Sequence, residues 1–176
     1  PVIFDNLVFL QHDLFKDSYI VALDVATGKE VWRTERDEIP SWGTPLVFQG
    51  PRRTELITQG TNALRSYNPR TGKELWKLGG HSDWTIPTPI AGNGLIFATS
   101  GQGPIFPMYA IRPGASGDIT LQDGQESNEY VVWSKRRGGP YTPTPILYDG
   151  ILYICSSTGI LAAYRAETGE RIYRER

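Results

Sequence analysis

The chain has 176 residues, 18 Lys and Arg against 19 Asp and Glu, a formal net charge of −1 and a single cysteine. That length can bury a real core, while the near-neutral balance gives no electrostatic case for nucleic acid or an anionic membrane as partner. No run is apolar enough to span a bilayer as a helix, and one cysteine allows no internal disulfide.

In chain order, PVIFDN and LVFLQH predict two short strands. Tyr19 to Asp24 alternates in strand fashion and stops at a turn on Thr27-Gly28. Lys29-Glu30-Val31-Trp32 resumes as an outgoing strand ending in a large aromatic. The pattern from Ala22 to Trp32, ALDVATGKEVW, then returns as SYNPRTGKELW from Ser66 to Trp76 and as AYRAETGERIY from Ala163 to Tyr173. Another copy begins at Ala110 and is split by an insertion before its aromatic, Trp133. Upstream, Pro1, Pro45 and Pro89 each precede the first motif residue by 21 positions, and Pro145 by 18. Each interval holds two further strands, so every repeat is four short strands joined by tight turns. The proline steps of 44, 44 and 56 residues match the roughly 40–50 residues of a propeller blade. The expected fold is therefore an all-β propeller of four-stranded antiparallel blades, with blades at approximately 1–36, 45–78, 87–136 and 143–176.

The AxDxxTGxxxW hairpin resembles the tryptophan-docking motif of propellers related to pyrroloquinoline-quinone (PQQ) enzymes. That family includes quinoprotein alcohol dehydrogenases and the lipoprotein scaffold of outer-membrane barrel assembly. The resemblance covers nearly the whole chain and implies that Trp32, Trp76, Trp133 and Tyr173 each stack on a neighbouring blade near its glycine. Ala22, Gly28, Gly72 and Gly169 would be the small residues of that docking. It also implies an extracytoplasmic location. Because related propellers have more blades than four, and the chain starts at Pro1 with neither an initiating methionine nor a signal peptide, the reading expects part of a seven- or eight-blade propeller. An open arc would expose apolar end faces and call for a homodimer or the remainder of a longer chain.

Alternating strand direction puts five segments on one side: Gln11 to Asp17, Asp37 to Trp42, Gly80 to Trp84, Gly101 to Gly103 and Lys135 to Tyr141. Trp42, Trp84 and Tyr141 stand 3, 5 and 4 residues ahead of Pro45, Pro89 and Pro145. They are read either as a rim of stacking platforms for a protein, peptide or small ligand, with Arg136 and Arg137 as cationic contacts, or as covers packed over the inner strand ends. His12 beside Asp13 and His81 near Asp83 are weighed as metal ligands or a base with its orienter against ordinary loop hydrogen bonds. The insertion, residues 117–130, is polar and departs from the calcium-loop pattern, so an exposed excursion with a mobile tip is expected. Cys155, inside ILYICS, is expected to be buried.

The resulting functional reading is a non-catalytic binding or scaffold module with no cofactor. The alternatives are a piece of a PQQ-dependent dehydrogenase using PQQ and calcium, and an extracytoplasmic sensor domain. The adjacent cysteine pair found in many quinoprotein alcohol dehydrogenases is absent.

Overall fold

The computed structural model describes all residues, 1–176, as an all-β molecule of four sheets. Blade 1 is built from β1 (Val2–Phe4), β2 (Leu7–His12), β3 (Tyr19–Asp24) and β4 (Glu30–Glu35), paired in that order. Blade 2 follows with β5 (Leu46–Gln49), β6 (Thr54–Gln59), β7 (Ala63–Tyr67) and β8 (Glu74–Gly79). Blade 3 uses β9 (Ile90–Gly92), β10 (Leu95–Thr99), β11 (Met108–Ile111) and β13 (Val131–Lys135), and blade 4 uses β14 (Ile146–Tyr148), β15 (Ile151–Cys155), β16 (Leu161–Arg165) and β17 (Arg171–Glu175). The first strands of neighbouring blades touch, β1 with β5 and β9 with β14, which puts them on the inner side of the array. No helix is long and apolar enough to cross a membrane.

The motif hairpin explains itself locally. Asp24 accepts hydrogen bonds from the Thr27 backbone N–H at 2.8 Å and the Thr27 hydroxyl at 2.7 Å, and the Gly28 N–H closes the turn on the Asp24 carbonyl at 2.8 Å. The Thr27 bonds hold the Asp24 carboxyl below its usual range. In each blade the ladder then shifts register at one place, between Ala22/Leu23, Ser66/Tyr67, Ala110/Ile111 and Ala163/Tyr164. A bulge at a fixed position re-aims the outgoing strand, and it leaves Ala22, Ser66, Ala110 and Ala163 directly opposite Trp32, Trp76, Trp133 and Tyr173. Small residues there clear room for the large ring.

Three apolar cores join the blades. Phe9, Ile20 and Ala22 pack with Leu56 and Tyr67 between blades 1 and 2. Ile57, Leu64 and Trp76 pack with Ile96 and Ile111 between blades 2 and 3. Phe97, Ala110 and Trp133 pack with Leu152, Ile154 and Tyr164 between blades 3 and 4.

The insertion differs from the expected exposed excursion. Its first residues form β12 (Gly117–Asp118), a fifth strand that pairs in parallel with β8 of blade 2, Gly117 opposite Trp76. Ile119 donates its N–H to the Lys77 carbonyl at 2.9 Å, and the Gly79 N–H donates to the Thr120 hydroxyl at 2.9 Å. Ala115 and Ile119 are buried in the blade 2–3 core, so the segment straps two blades together. Burying these two apolar side chains and filling the free edge of β8 favours docking over solvation. Residues 122–127 form its longest exposed run.

Candidate functional site: the loop face and its tryptophan pair

The motif aromatics make the joints that position this face. The Trp32 indole N–H donates to the Pro69 carbonyl at 2.9 Å, and the Thr34 hydroxyl donates to the Gly72 carbonyl at 2.7 Å. Trp133 donates to the Ala166 carbonyl at 2.9 Å and lies against Gly169. The middle joint is different. Trp76 is fully buried and donates to the Glu55 carboxylate at 2.6 Å, which also takes the Ser66 hydroxyl at 2.6 Å, the Gly114 N–H at 2.8 Å and Arg53 at 3.1 Å. The third repeat carries Pro113-Gly114 where the others carry the Thr-Gly turn, and Glu55 stands between it and the indole. Four donors satisfy the buried carboxylate. Tyr173 departs from the expected docking: it is 37% exposed, and nothing lies within 4 Å of a side-chain position at Gly28.

On the loop face, the linker from β4 to β5 is held by buried charge. Arg36 and Asp13, both with fully buried side chains, form a two-pronged pair at 2.8 and 3.1 Å. Arg36 also donates to the Thr58 hydroxyl at 2.5 Å and the Tyr67 hydroxyl at 3.1 Å, while Ser41 and Gln11 donate to Asp13 at 2.5 and 2.7 Å. Two residues on, Glu38 accepts from the Asn62 N–H at 2.7 Å, the Ala63 N–H at 3.2 Å and Arg65 at 3.1 Å. Burial raises the Glu38 carboxyl above its ordinary value despite those donors. A pair buried this completely is costly to break, because the survivor is left as an unpaired charge.

This base presents the tryptophans. Trp42 donates its backbone N–H to the Thr85 carbonyl at 2.9 Å, and the Thr85 hydroxyl donates to the Gly60 carbonyl at 3.1 Å. Trp42 and Trp84 meet edge to face, centroids 6.4 Å apart and planes at 79°, while remaining 58% and 46% exposed. Trp84 adopts φ of +50°, a left-handed conformation that a bulky residue rarely takes. Fixed backbone and paired rings leave a rigid aromatic ridge facing solvent.

The other rim candidates are not gathered into it. Tyr141 is half-buried and in no ring contact with the pair, and Arg136 and Arg137 are exposed on the blade 3–4 linker. His12 lies away from the rim, stacked on Tyr19 at 4.6 Å on the side of blade 1 turned from blade 2; strand alternation carries it there. Its neighbour Asp13 is committed to Arg36, so the two do not act as a pair. His81 packs against Tyr109 at 5.3 Å with both ring nitrogens enclosed and unpartnered. Burial pushes it down to about 4, which keeps it neutral. Cys155, expected inside, is exposed at the end of β15, because that side of blade 4 has no neighbour.

Arg36, Glu38, Ser41 and Glu55 carry this architecture and were not singled out from the sequence. The available signal was a charge inside an apolar strand, as in TELITQ. No three His, Cys, Asp or Glu side chains gather closely enough to hold a metal ion, and the buried carboxylates Asp13, Glu38 and Glu55 are spent on internal donors. The donors present do not fit a calcium-bound quinone. A cleft of about 510 Å³ opens on the opposite, turn side between blades 2 and 3. Of its three arginines, Arg53 and Arg112 are tied to Glu55 and to the Glu129 carbonyl, and Arg52 is exposed.

A family model described as "Outer membrane protein assembly factor BamB" matches residues 16–175. A quinoprotein ethanol dehydrogenase from Pseudomonas putida is 30% identical over 116 residues, covering 62% of this chain and 17% of that protein. A tetrathionate hydrolase from Acidianus ambivalens is 24% identical over 122 residues, covering 63% of this chain and 22% of that one. The chain thus spans about a fifth of those relatives' length. In structure, BamB from Moraxella catarrhalis superposes with a TM-score of 0.70 at 16% identity, over 99% of this chain and 50% of the other.

Proposed function

The chain belongs to the PQQ-like repeat propeller family, and from that membership we propose that it serves as a binding module of scaffold type, extracytoplasmic like the family described for outer-membrane assembly. Its loop face takes a protein or peptide partner on the Trp42–Trp84 ridge. The observation that carries this reading is the ridge itself: two large aromatics, edge to face and half in solvent, on a backbone braced by buried ion pairs. Rigid aromatics lose little side-chain freedom on binding and are favoured anchors at protein interfaces. An extended peptide with alternating apolar side chains suits such a ridge.

The test is a fluorescence-anisotropy titration of dye-labelled synthetic β-strand peptides taken from outer-membrane barrel proteins. Saturable binding that weakens at least tenfold in the Trp42→Ala/Trp84→Ala variant supports the reading. Unchanged affinity in that variant sinks it.

A second reading is favoured by the quinoprotein relative: a segment of a PQQ-dependent dehydrogenase. A quinone site in such an assembly would need calcium ligands from beyond these residues. Absorbance titration with PQQ and calcium on the natural full-length protein that contains these residues separates the two readings, since only a dehydrogenase gives a saturable change.

A further inference from the structure

The cleft of about 510 Å³ between blades 2 and 3 opens because the middle joint is built differently from the one before it. Between blades 1 and 2 the corresponding place is bridged by an ion pair: Asp5, in the β1–β2 turn, meets Arg70, in the motif turn of blade 2, at 2.7 Å. Trp32 lies on that same motif turn. Between blades 2 and 3, Trp76 turns inward to Glu55 instead, and the β5–β6 turn carries Pro51-Arg52-Arg53 where β1–β2 carries Asp5. The facing blade supplies Arg112, at the start of the turn that replaces the Thr-Gly motif. Both sides of this joint therefore present cations.

Three guanidinium groups border the cleft, Arg52, Arg53 and Arg112, against two carboxylates, Glu55 and Glu129. Glu55 is spent: it is fully buried, and its oxygens take Trp76, Ser66, the Gly114 N–H and Arg53. Arg53 gives Nε to Glu55 and Nη2 to the Ala115 carbonyl, which leaves Nη1 uncommitted. Arg112 gives Nη1 to the Glu129 main-chain carbonyl at 2.8 Å. That acceptor is neutral, so the charge of Arg112 and its Nε–Nη2 edge remain available. Arg52 is exposed, and its stem crosses the Gly114 turn, with Cδ 3.8 Å from where a side chain on that glycine would begin. Leu95 and Tyr130, both half-buried, give the cleft apolar wall.

We propose that this cleft binds a small phosphate monoester, with the phosphate between Arg52 and Arg112 and the organic body against Leu95 and Tyr130. One guanidinium fork satisfies a carboxylate, whereas a phosphate offers three terminal oxygens and matches forks arriving from two blades. The cleft falls within the roughly 300–1,000 Å³ of small-molecule sites. The bound ligand bridges blades 2 and 3, taking the place that the Asp5–Arg70 pair holds at the first joint. The cleft lies on the side away from the tryptophan ridge, so this inference is independent of the peptide reading.

Isothermal titration calorimetry on the natural full-length protein that contains these residues tests it, with phenyl phosphate, inorganic phosphate and benzoate as probes. Phenyl phosphate is expected to bind saturably and more tightly than the other two. Arg52→Gln/Arg112→Gln weakens it roughly tenfold or more, and Arg52→Gln alone weakens it in the same direction, with near-UV circular dichroism confirming that each variant folds. Glu129→Gln removes the acid able to compete for these arginines and tightens binding, an effect that a purely structural role for the arginines would not produce. Four results overturn the proposal: no saturable heat from phenyl phosphate up to about 10 mM, an affinity unchanged in the double variant, an affinity not raised by Glu129→Gln, or benzoate or inorganic phosphate binding as tightly as phenyl phosphate.

Discussion

The Trp32 ring fills the space that a side chain on Gly72 would need: a Cβ built there would stand 2.5 Å from the ring. With φ at +72°, two independent reasons require glycine, the left-handed backbone and the docked indole.

Gly72→Ala is therefore expected to destabilise by about 2–4 kcal/mol, strain and overpacking together, measured by urea unfolding. Gly28→Ala, in a turn of the same conformation with open space around it, is expected to cost about 1 kcal/mol. Equal losses at the two sites would mean that docking contributes nothing beyond backbone strain.

Trp76→Ala should cost about 3–5 kcal/mol, since it empties a fully buried site and removes a donor from Glu55. Trp84→Ala, half exposed, should cost under about 1 kcal/mol. A Trp84 loss as large as that of Trp76 would show the ridge to be a packing element.

Arg36→Met strands the Asp13 carboxylate in the protein interior. The expected loss is about 3–5 kcal/mol, and the double variant Arg36→Met/Asp13→Asn should recover a substantial part of it. A double variant no more stable than Arg36→Met would rule out a stranded charge as the cause.

His81 makes stability depend on pH. Its folded value of about 4 lies below the unfolded value near 6.5, so between these limits the unfolded chain binds the extra proton. Stability from this group is complete above about pH 6.5 and falls as pH drops toward 4, by on the order of 2–3 kcal/mol after discounting for the partly exposed residue. His81→Phe, which preserves the Tyr109 contact, should flatten the unfolding free energy over that window. An unchanged slope would place the proton uptake elsewhere.

The blades were legible because their information is local. Strand alternation and turn chemistry act within a hairpin, and the repeat of Ala22 to Trp32 at Ser66 to Trp76 displays the same solution twice. The insertion was legible as a length and not as a position: nothing in GDITLQDGQESNEY shows that Gly117 will lie beside Trp76, because the free edge of β8 that receives it belongs to the preceding blade. The ridge was half legible. Trp42 and Trp84 recur at similar places before Pro45 and Pro89, but spacing carries no information on which rings meet, and Tyr141, at the same kind of place, stays out of contact.

The sequence by itself determined the all-β class, the four repeats, the turns and the aromatics able to join them, since each rests on forces acting between residues a few positions apart. Only the tertiary structure decided that Arg36 pairs with Asp13 across 23 positions, that Glu55 takes the place of a turn carbonyl beneath Trp76, that His12 leaves the rim, and that Tyr173 and Gly28 remain without partners. Those outcomes depend on how one blade is set against the next, and that placement is fixed by burial summed over whole faces.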